Sequence, residues 1–229
     1  MARTIISASD AKNTLLNMFD GGAERLPADY LKSVREWKTS ESFFYVYLGV
    51  DMDLRAAGFD GSPVWYFPRE IDRKSFPMLG GDAFGIGMPS LLERSLAPEG
   101  KGVVVLGMLA SCTFMEGCPV RHQGGEGREA YKAVKQKIGE YLIDLAGEAI
   151  PGLRERIELK VFASPHTFER YTMNYLGASS GWSMAADQQH KLPVKTPIPG
   201  LYLAGHWTMN PGGVPAAFVS GRLVSQEVR

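Results

Sequence analysis

The chain has neither a long apolar run nor an excess of charge of one sign. Its longest apolar runs, residues 103–106 and 201–204, have only strand length, whereas a membrane span needs about 18 to 20 such residues. The 25 basic residues balance the 25 acidic ones, so no net field attracts nucleic acid. The first residues lack the pattern of a signal peptide. We therefore predict no transmembrane segment, no nucleic-acid partner and a cytoplasmic protein, with a peripheral membrane position left open.

Cysteine is equally scarce, because the chain has only Cys112 and Cys118. They form no CxxC pair and have no histidines at ligand spacing, so we expect free thiols in a reducing compartment. A local disulfide or redox pair is the alternative. The histidines lack the spacing of a metal site; they are His122, His166, His190 and His206. The sequence thus predicts no bound metal.

Strand signals dominate the middle of the chain. Residues 42–50 are dense in aromatic and β-branched side chains, which favour a half-buried strand. Further candidate strands are residues 63–67, 83–88, 102–110 and 157–163. An amphipathic helix is expected over residues 127–149, where apolar side chains recur at steps of three and four. These elements predict an α+β fold with an antiparallel sheet of about four to six strands.

Each end of the chain has the pattern of a strand followed by a helix. Residues 3–8 favour a short strand, and a helix over residues 11–19 follows an N-cap at Ser9 or Asp10. Near the other end, residues 201–204 are continuously apolar, as in strands that are covered on both faces. Such a strand needs parallel neighbours, and we expect them to come from outside the chain.

A glycine-rich turn leads from the last strand into the last helix. Pro211, Gly212 and Gly213 make the turn, and residues 214–228 favour the helix. Its small residues leave one side smooth: Ala216, Ala217, Ser220 and Gly221. Free backbone N–H groups and the positive end of the helix dipole then meet near Gly212 to Ala216. This favours a phosphate or the electron-rich edge of a flavin; an ordinary strand-to-helix turn is the alternative.

The same region resembles a known C-terminal FAD signature. Residues 196–221 read TPIPGLYLAGHWTMNPGGVPAAFVSG. They are similar to the Pro-x-x-Gly-Leu-Tyr-x-x-Gly-Asp, Pro-Gly-Gly-Gly-x-Pro and Ser-Gly elements of the phytoene desaturase-like flavoproteins. That group includes carotenoid isomerases and retinol saturases, within the amine-oxidase superfamily. Residues 2–10 resemble its strand entering an Asn/Asp-bearing turn, and residues 177–182 resemble its Gly-x-x-x-Gly-aromatic stretch.

The resemblance implies which residues would bind FAD. Gly205 would let the chain pass the ribityl-pyrophosphate region, and His206 stands where the family has an acidic residue. Gly213 and Val214 would present backbone N–H groups to the N1/O2 edge of the isoalloxazine ring. The implied cofactor-binding set is Gly205, His206, Gly212, Gly213, Val214, Pro215 and Ala216.

The implied substrate is a hydrophobic polyene or isoprenoid-like molecule. Gly181 and Trp182 would lie near the flavin ring and the substrate tunnel. The aromatic residues 43–47 favour sheet core over tunnel wall. Hydride would pass between the substrate and flavin N5, so no catalytic side chain is nominated. The resemblance therefore implies an FAD-dependent oxidoreductase.

The dinucleotide-binding half of an FAD site is missing from the sequence. Proteins of this class hold the ADP moiety with GxGxxG after a strand. The closest strings begin at Gly80 and Gly85, and neither fits, since Pro89 interrupts the second. The resemblance therefore implies half an FAD site, completed by a partner chain or by self-association. Without that half, we expect the chain to be inactive.

These observations predict three parts. Residues 1–24 and 196–229 would be pieces of an FAD-binding α/β domain, and residues 25–195 a substrate-type domain built on the antiparallel sheet. Two other functions remain open. One is a non-catalytic module or subunit that binds an apolar ligand, and the other is an amine-oxidising flavoenzyme.

Overall fold

The computed structural model describes residues 3–19, 21, 23–111, 126–188, 191–209 and 212–228. The residues outside these ranges include Cys112, Cys118, His122, His190 and Pro211, for which the sequence predictions stay predictions. Within the described ranges, no helix is long and apolar enough to cross a membrane. The same ranges contain no cluster of side chains suited to holding a metal ion.

Seven strands and five α-helices occur in the described residues. The strands are β1 (Ile5–Ser7), β2 (Ser42–Val50), β3 (Val64–Tyr66), β4 (Phe84–Gly87), β5 (Gly102–Ala110), β6 (Ile157–Ala163) and β7 (Leu201–Leu203). The helices are α1 (Ala11–Asn17), α2 (Ala28–Glu36), α3 (Glu126–Ala149), α4 (Pro165–Thr172) and α5 (Gly213–Glu227).

The chain folds into two compact units. The split unit comprises Met1–Ser42 and His166–Arg229, and the continuous unit comprises Phe43–Pro165. The predicted boundaries lie after residues 24 and 195 instead. Residues 25–42, which follow the first predicted boundary, and residues 166–195, which precede the second, belong to the split unit together with the chain ends. The assignment of FAD-binding and substrate-binding parts remains a prediction.

The continuous unit contains the predicted antiparallel sheet. Its five strands lie in the order β3-β4-β5-β2-β6, and the β3-β4, β4-β5 and β2-β6 pairs are antiparallel. In the register, Gly85 pairs with both Trp65 and Gly107, and Tyr45 pairs with Ala163. The α+β class is thereby confirmed.

Alternation along the strands separates the two faces of this sheet. Phe44, Val46 and Leu48 of β2 are buried and share one core with Leu106 of β5 and Ile138 of α3. Because side chains alternate along a strand, their neighbours in β2 project from the other face. The aromatic strand therefore contributes to the core on one side only.

The other face of the sheet is apolar and partly exposed, and we call it the open sheet face. Its side chains belong to Phe43, Tyr45, Tyr47, Trp65, Val103, Val105, Leu109, Leu159 and Val161. Gly85 and Gly107 lie between Trp65 and Tyr45, and a Cβ at Gly107 would lie 2.6 Å from Tyr45 Cε1. None of the five described strands places a charged side chain on this face.

The split unit is organised around a parallel pair of strands. β1 pairs with β7, so that Ile5 lies opposite Leu201 and Ser7 opposite Leu203. The expectation that the C-terminal strand takes its parallel neighbours from outside the chain was therefore wrong for this neighbour. The residues of β1 are exposed or only half-buried. No local pattern in the sequence indicated with which strand β1 would pair. The buried residues of this unit include Leu15, Val34, Trp182, Leu203 and Trp207.

Candidate functional site

The loop that leaves β7 is joined to α5 by a closed ring of hydrogen bonds. The Gly205 amide donates to Ser220 Oγ (2.9 Å), and the Ser220 and Thr208 hydroxyl oxygens lie 2.6 Å apart. The Thr208 hydroxyl donates to the Gly205 carbonyl oxygen (3.0 Å). Because this uses the Thr208 proton, the Ser220 hydroxyl donates to Thr208. Ser220 is fully buried, so the ring fixes the loop against the helix.

Glycine is required where α5 begins. Gly212 and Gly213 have φ angles of +88° and +74°, which residues with side chains rarely adopt. A Cβ at Gly212 would lie 2.9 Å from the Cβ of Ser180 and 3.0 Å from its carbonyl oxygen. The start of α5 therefore approaches the backbone near Ser180 as closely as a chain without a Cβ allows.

The first turn of α5 presents backbone donors. By helix geometry the amides of Gly212, Gly213 and Val214 have no intrahelical acceptor, and Pro215 has no N–H. The N-cap is Gly212, which has no side-chain oxygen to accept from them. The Val214 side chain is exposed, whereas Ala216 is buried. With the helix dipole of the 15-residue α5, this turn suits an electron-rich ligand.

The segment of residues 178–183 lies against both this turn and the loop after β7. The Ser180 amide donates to Ser40 Oγ (2.9 Å), and the Ser40 amide donates to the Gly181 carbonyl oxygen (2.8 Å). Gly181 has a φ of +78°. A Cβ there would lie 3.0 Å from His206 Cδ2 and 3.1 Å from the His206 carbonyl oxygen. The structure thus brings together Gly181, His206 and Gly212, which are distant in sequence.

Trp182 belongs to the core of the split unit. It is fully buried, in edge-to-face contact with Trp37 (5.6 Å between centroids) and Trp207 (5.0 Å). The indole N–H groups of Trp182 and Trp207, and Nε2 of His206, are buried with no hydrogen-bond partner among the described residues. Buried polar atoms of this kind are rare in proteins, and two of the three lie in the loop after β7.

Burial makes His206 a weaker base than an ordinary histidine. Desolvation lowers its pKa, and the charge of Lys191 lowers it further. Lys191 is itself partly buried, and desolvation lowers its pKa to about 8. Its Nζ donates to the Trp182 carbonyl oxygen (2.8 Å). At neutral pH the His206 imidazole is therefore mainly uncharged, and the positive charge beside it belongs to Lys191.

We expect the stability of the split unit to rise with pH through Lys191. The pKa of about 8 in the folded chain lies below the ordinary 10.5. Between these values the unfolded chain binds more protons than the folded chain, so unfolding becomes less favourable as pH increases. Lys191→Met should flatten this rise. Denaturant midpoints of both proteins across the window measure it, and equal slopes would contradict the prediction.

The residues that assemble the site carry little local signal in the sequence. Ser220 belongs to the Ser-Gly element of the signature, but the sequence does not show that its hydroxyl accepts the Gly205 amide. Lys191 reaches the Trp182 carbonyl only because the chain folds back on itself. Their roles follow from tertiary contacts and not from a motif.

The residues present fit the FAD that the resemblance implies. A Cβ at Gly213 would meet only Pro215 Cδ, at 4.0 Å, so the backbone there is open to a ligand, and the amides of Gly213 and Val214 are donors for negative charge. A neutral His206 has a buried Nε2 without a partner among the described residues, and an imidazole N–H can donate to a phosphate oxygen. It cannot replace an acidic residue as a charged acceptor of ribityl hydroxyls.

Comparison with known proteins identifies the class. The family model described as flavin containing amine oxidoreductase matches residues 81–229, which is more than half of the chain. This chain therefore belongs to the flavin-containing amine oxidoreductase family. The matched region includes the loop after β7 and the whole of α5.

Two prolycopene isomerases are similar to this chain over almost its whole length. The chain is 26% identical to the chloroplastic prolycopene isomerase of Arabidopsis thaliana and 25% identical to that of Daucus carota, in each case over 99% of this chain. It spans 36% and 35% of those two proteins. The predicted kinship with carotenoid desaturases and isomerases of the amine-oxidase superfamily is confirmed by these matches.

Solved structures share the fold. An oxidoreductase from Methanosarcina mazei matches with a TM-score of 0.57 at 18% identity, over 99% of this chain and 43% of that one. A protein from Pyrococcus furiosus matches with a TM-score of 0.50 at 18% identity, over 98% of this chain and 40% of that one.

Proposed function

We propose that this chain forms the flavin-ring side of an FAD-dependent oxidoreductase that acts on a hydrophobic, polyene-like substrate. The observation that carries the proposal is the start of α5. There Gly212 meets Ser180 without an intervening side chain, and the amides of Gly213 and Val214 have no intrahelical acceptor. Family membership supports flavin as the ligand of this turn.

The chain's own residues bind and orient, whereas bound FAD supplies the redox chemistry by exchanging hydride with the substrate at N5. The amides of Gly213 and Val214 would stabilise negative charge at the pyrimidine edge of the ring. Gly205, with a φ of +100°, would let the loop pass the ribityl-pyrophosphate region. His206 would donate one N–H there. No side chain is assigned a proton-transfer step.

The ADP half of the cofactor would be bound by polypeptide outside these 229 residues, because the sequence has no GxGxxG turn. Exposed apolar side chains on the split unit support the proposal that another polypeptide binds the ADP half. Ile5 and Ile6 of β1 are 48% and 50% exposed, and Val214 and Phe218 of α5 are 69% and 78% exposed. Val214 and Phe218 are four positions apart and so share one face of α5, which makes that face a candidate interaction surface. We propose that a partner chain carrying the nucleotide-binding fold covers it, with self-association as the alternative.

The substrate class is supported by the open sheet face. Tyr45 and Tyr47 stack with centroids 5.8 Å apart, and Leu159 and Val161 are 62% and 52% exposed. An apolar face with no charged side chain suits a long hydrocarbon, because removing such a molecule from water contributes most of the binding free energy. The prolycopene isomerases are named for a polyene, which agrees with this choice.

FAD binding can be measured directly. The purified chain is mixed with FAD, alone and with a co-expressed polypeptide that carries a GxGxxG strand-turn-helix, and the visible spectrum of the flavin is recorded. We expect bound flavin only in the combined sample. Tight binding by the chain alone would show that the site is not divided. No binding in either sample would favour a module that binds an apolar ligand without flavin.

A charge on the open sheet face should interfere with the substrate. We expect Val161→Asp to weaken binding of a polyene in detergent solution by at least about tenfold, since a buried unpaired carboxylate is costly. Leu96→Asp is the matched control, because Leu96 is 51% exposed, close to the 52% of Val161, and lies outside the sheet. Induced circular dichroism of the polyene measures binding. Equal losses in both variants would argue against this face.

A further inference from the structure

A buried carboxylate outside the proposed cofactor-binding set connects α1 to a distant loop. Asp10 is the N-cap of α1, and its Oδ1 accepts from the Asn13 amide at 2.7 Å. Its second oxygen, Oδ2, accepts from the Tyr175 amide at 2.6 Å. The residue is only 2% exposed. A capping residue needs one acceptor, so the second hydrogen bond is additional to the cap.

The loop that Asp10 contacts, residues 173–177, has an unfavourable backbone. Met173 and Leu176 have φ angles of 58° and 55°, in the left-handed region that residues other than glycine rarely adopt. Such conformations persist only where the surroundings enforce them. Asn13 provides a second restraint, because its Nδ2 donates to the Met173 carbonyl oxygen at 2.6 Å. Asp10, the N-cap of α1, and Asn13 in its first turn thus both hold this loop.

The 173–177 loop runs directly into the 178–183 segment of the candidate site. The Asn174 Nδ2 donates to the Ala178 carbonyl oxygen at 3.1 Å, which joins the two stretches. Lys12 is 5% exposed. Its Nζ lies 4.7 Å from the centroid of the Tyr175 ring and 5.5 Å from that of the Trp182 ring. The placement of the segment that contacts His206 therefore depends on how the loop is held.

We propose that Asp10 is a positioning residue. By holding the Tyr175 amide, it keeps the 173–177 loop in its left-handed conformation and sets the 178–183 segment against His206 and Gly212. The positioning itself is a property of the folded chain, whereas its consequence for FAD rests on the proposed function. The two tasks of Asp10 are separable because a carboxylate has two acceptor oxygens and an amide has one.

Amide hydrogen exchange of the purified chain tests the positioning. In Asp10→Asn one oxygen remains for a single amide, and in Asp10→Ser the short hydroxyl can serve only the cap of α1. We expect both variants to accelerate exchange over residues 175–178 by at least about tenfold, the effect of losing a hydrogen bond to a charged acceptor. Exchange in α1 and α5 should change little. Unchanged exchange at residues 175–178 in both variants would overturn the proposal, as would equal acceleration throughout the split unit.

A matched control comes from the other unit. Asp60 also accepts a backbone amide, that of Ser62 at 2.8 Å, so Asp60→Asn makes the same chemical change away from the site. It should leave exchange over residues 175–178 unaltered, and acceleration there in this variant would contradict a local effect of Asp10.

FAD titration with the complementing polypeptide then tests the consequence for the cofactor. We expect Asp10→Asn to weaken FAD binding by about fivefold to tenfold, because a less ordered segment must be fixed on binding. If the unsubstituted chain binds no FAD while Asp10→Asn still accelerates exchange, the proposed function fails and the positioning stands. If FAD binds equally to both proteins although exchange accelerates, Asp10 has no role in the cofactor site.

Discussion

Gly212→Ala is expected to weaken FAD binding by at least about a hundredfold and to destabilise the split unit by about 2–4 kcal/mol. Two penalties act together. The φ of +88° is unfavourable for alanine, and the new Cβ would lie 2.9 Å from the Cβ of Ser180 and 3.0 Å from its carbonyl oxygen. Relieving this contact moves the start of α5, whose amides would bind the flavin edge. Flavin absorbance with the complementing polypeptide measures binding, and thermal unfolding of the chain measures stability.

Gly221→Ala is the matched control for this substitution. Gly221 lies in the same helix, and a Cβ there would have no neighbour within 4 Å. Alanine is favoured over glycine within helices by about 1 kcal/mol, so we expect slightly higher stability and unchanged FAD binding. Equal loss of binding in the two variants would show that α5 as a whole, and not its first turn, determines affinity.

Trp182→Ala is expected to destabilise the split unit by about 3–5 kcal/mol, as large-to-small changes in a core do. The side chain is fully buried and contacts Trp37 and Trp207. Its removal leaves a cavity beside the loop after β7, so we also expect FAD binding to be lost. Denaturant unfolding followed by circular dichroism measures the change in the free energy of unfolding.

Trp65→Ala tests whether this effect comes from burial. Trp65 is 68% exposed on the open sheet face of the continuous unit, so its removal should change the free energy of unfolding by no more than about 0.5 kcal/mol. A large loss of stability in this variant would mean that the open sheet face is covered in the free protein. Comparable losses for both tryptophans would contradict the assignment of Trp182 to the core.

The elements that repeat a local pattern were predictable from the sequence. Residues 42–50, which are dense in aromatic and β-branched side chains, and residues 102–110 were predicted as strands of an antiparallel sheet, and β2 and β5 occupy the same bounds. The turn before the last helix was recognisable because glycine adopts the positive φ found at Gly212 and Gly213 without the steric cost that other residues incur. At these positions the residue types alone were enough to predict the local structure.

The contacts that complete the site were not predictable, because each joins residues that are far apart in the sequence. Asp10 is readable as a helix cap, but nothing near it indicates that Oδ2 accepts from Tyr175. By resemblance, Gly181 was expected near the flavin ring and His206 in the ribityl-pyrophosphate region, and only the fold shows that the two residues lie against each other. Their roles toward FAD remain a prediction. Long-range packing decides such pairs, and patterns of period two or 3.6 carry no information about it.

The parallel pairing of β1 with β7 has a consequence for the order of folding. Helices α1 to α4 and strands β2 to β6 lie between β1 and β7 in the sequence. A newly made chain therefore cannot form this pair until that whole intervening stretch has been synthesised. The continuous unit is one uninterrupted stretch, Phe43–Pro165, and can fold earlier during synthesis. Strands that are far apart in the sequence pair slowly, because closing the loop between them costs conformational entropy before their contacts form. Until then the β1 segment lacks the strand with which it pairs in the folded chain.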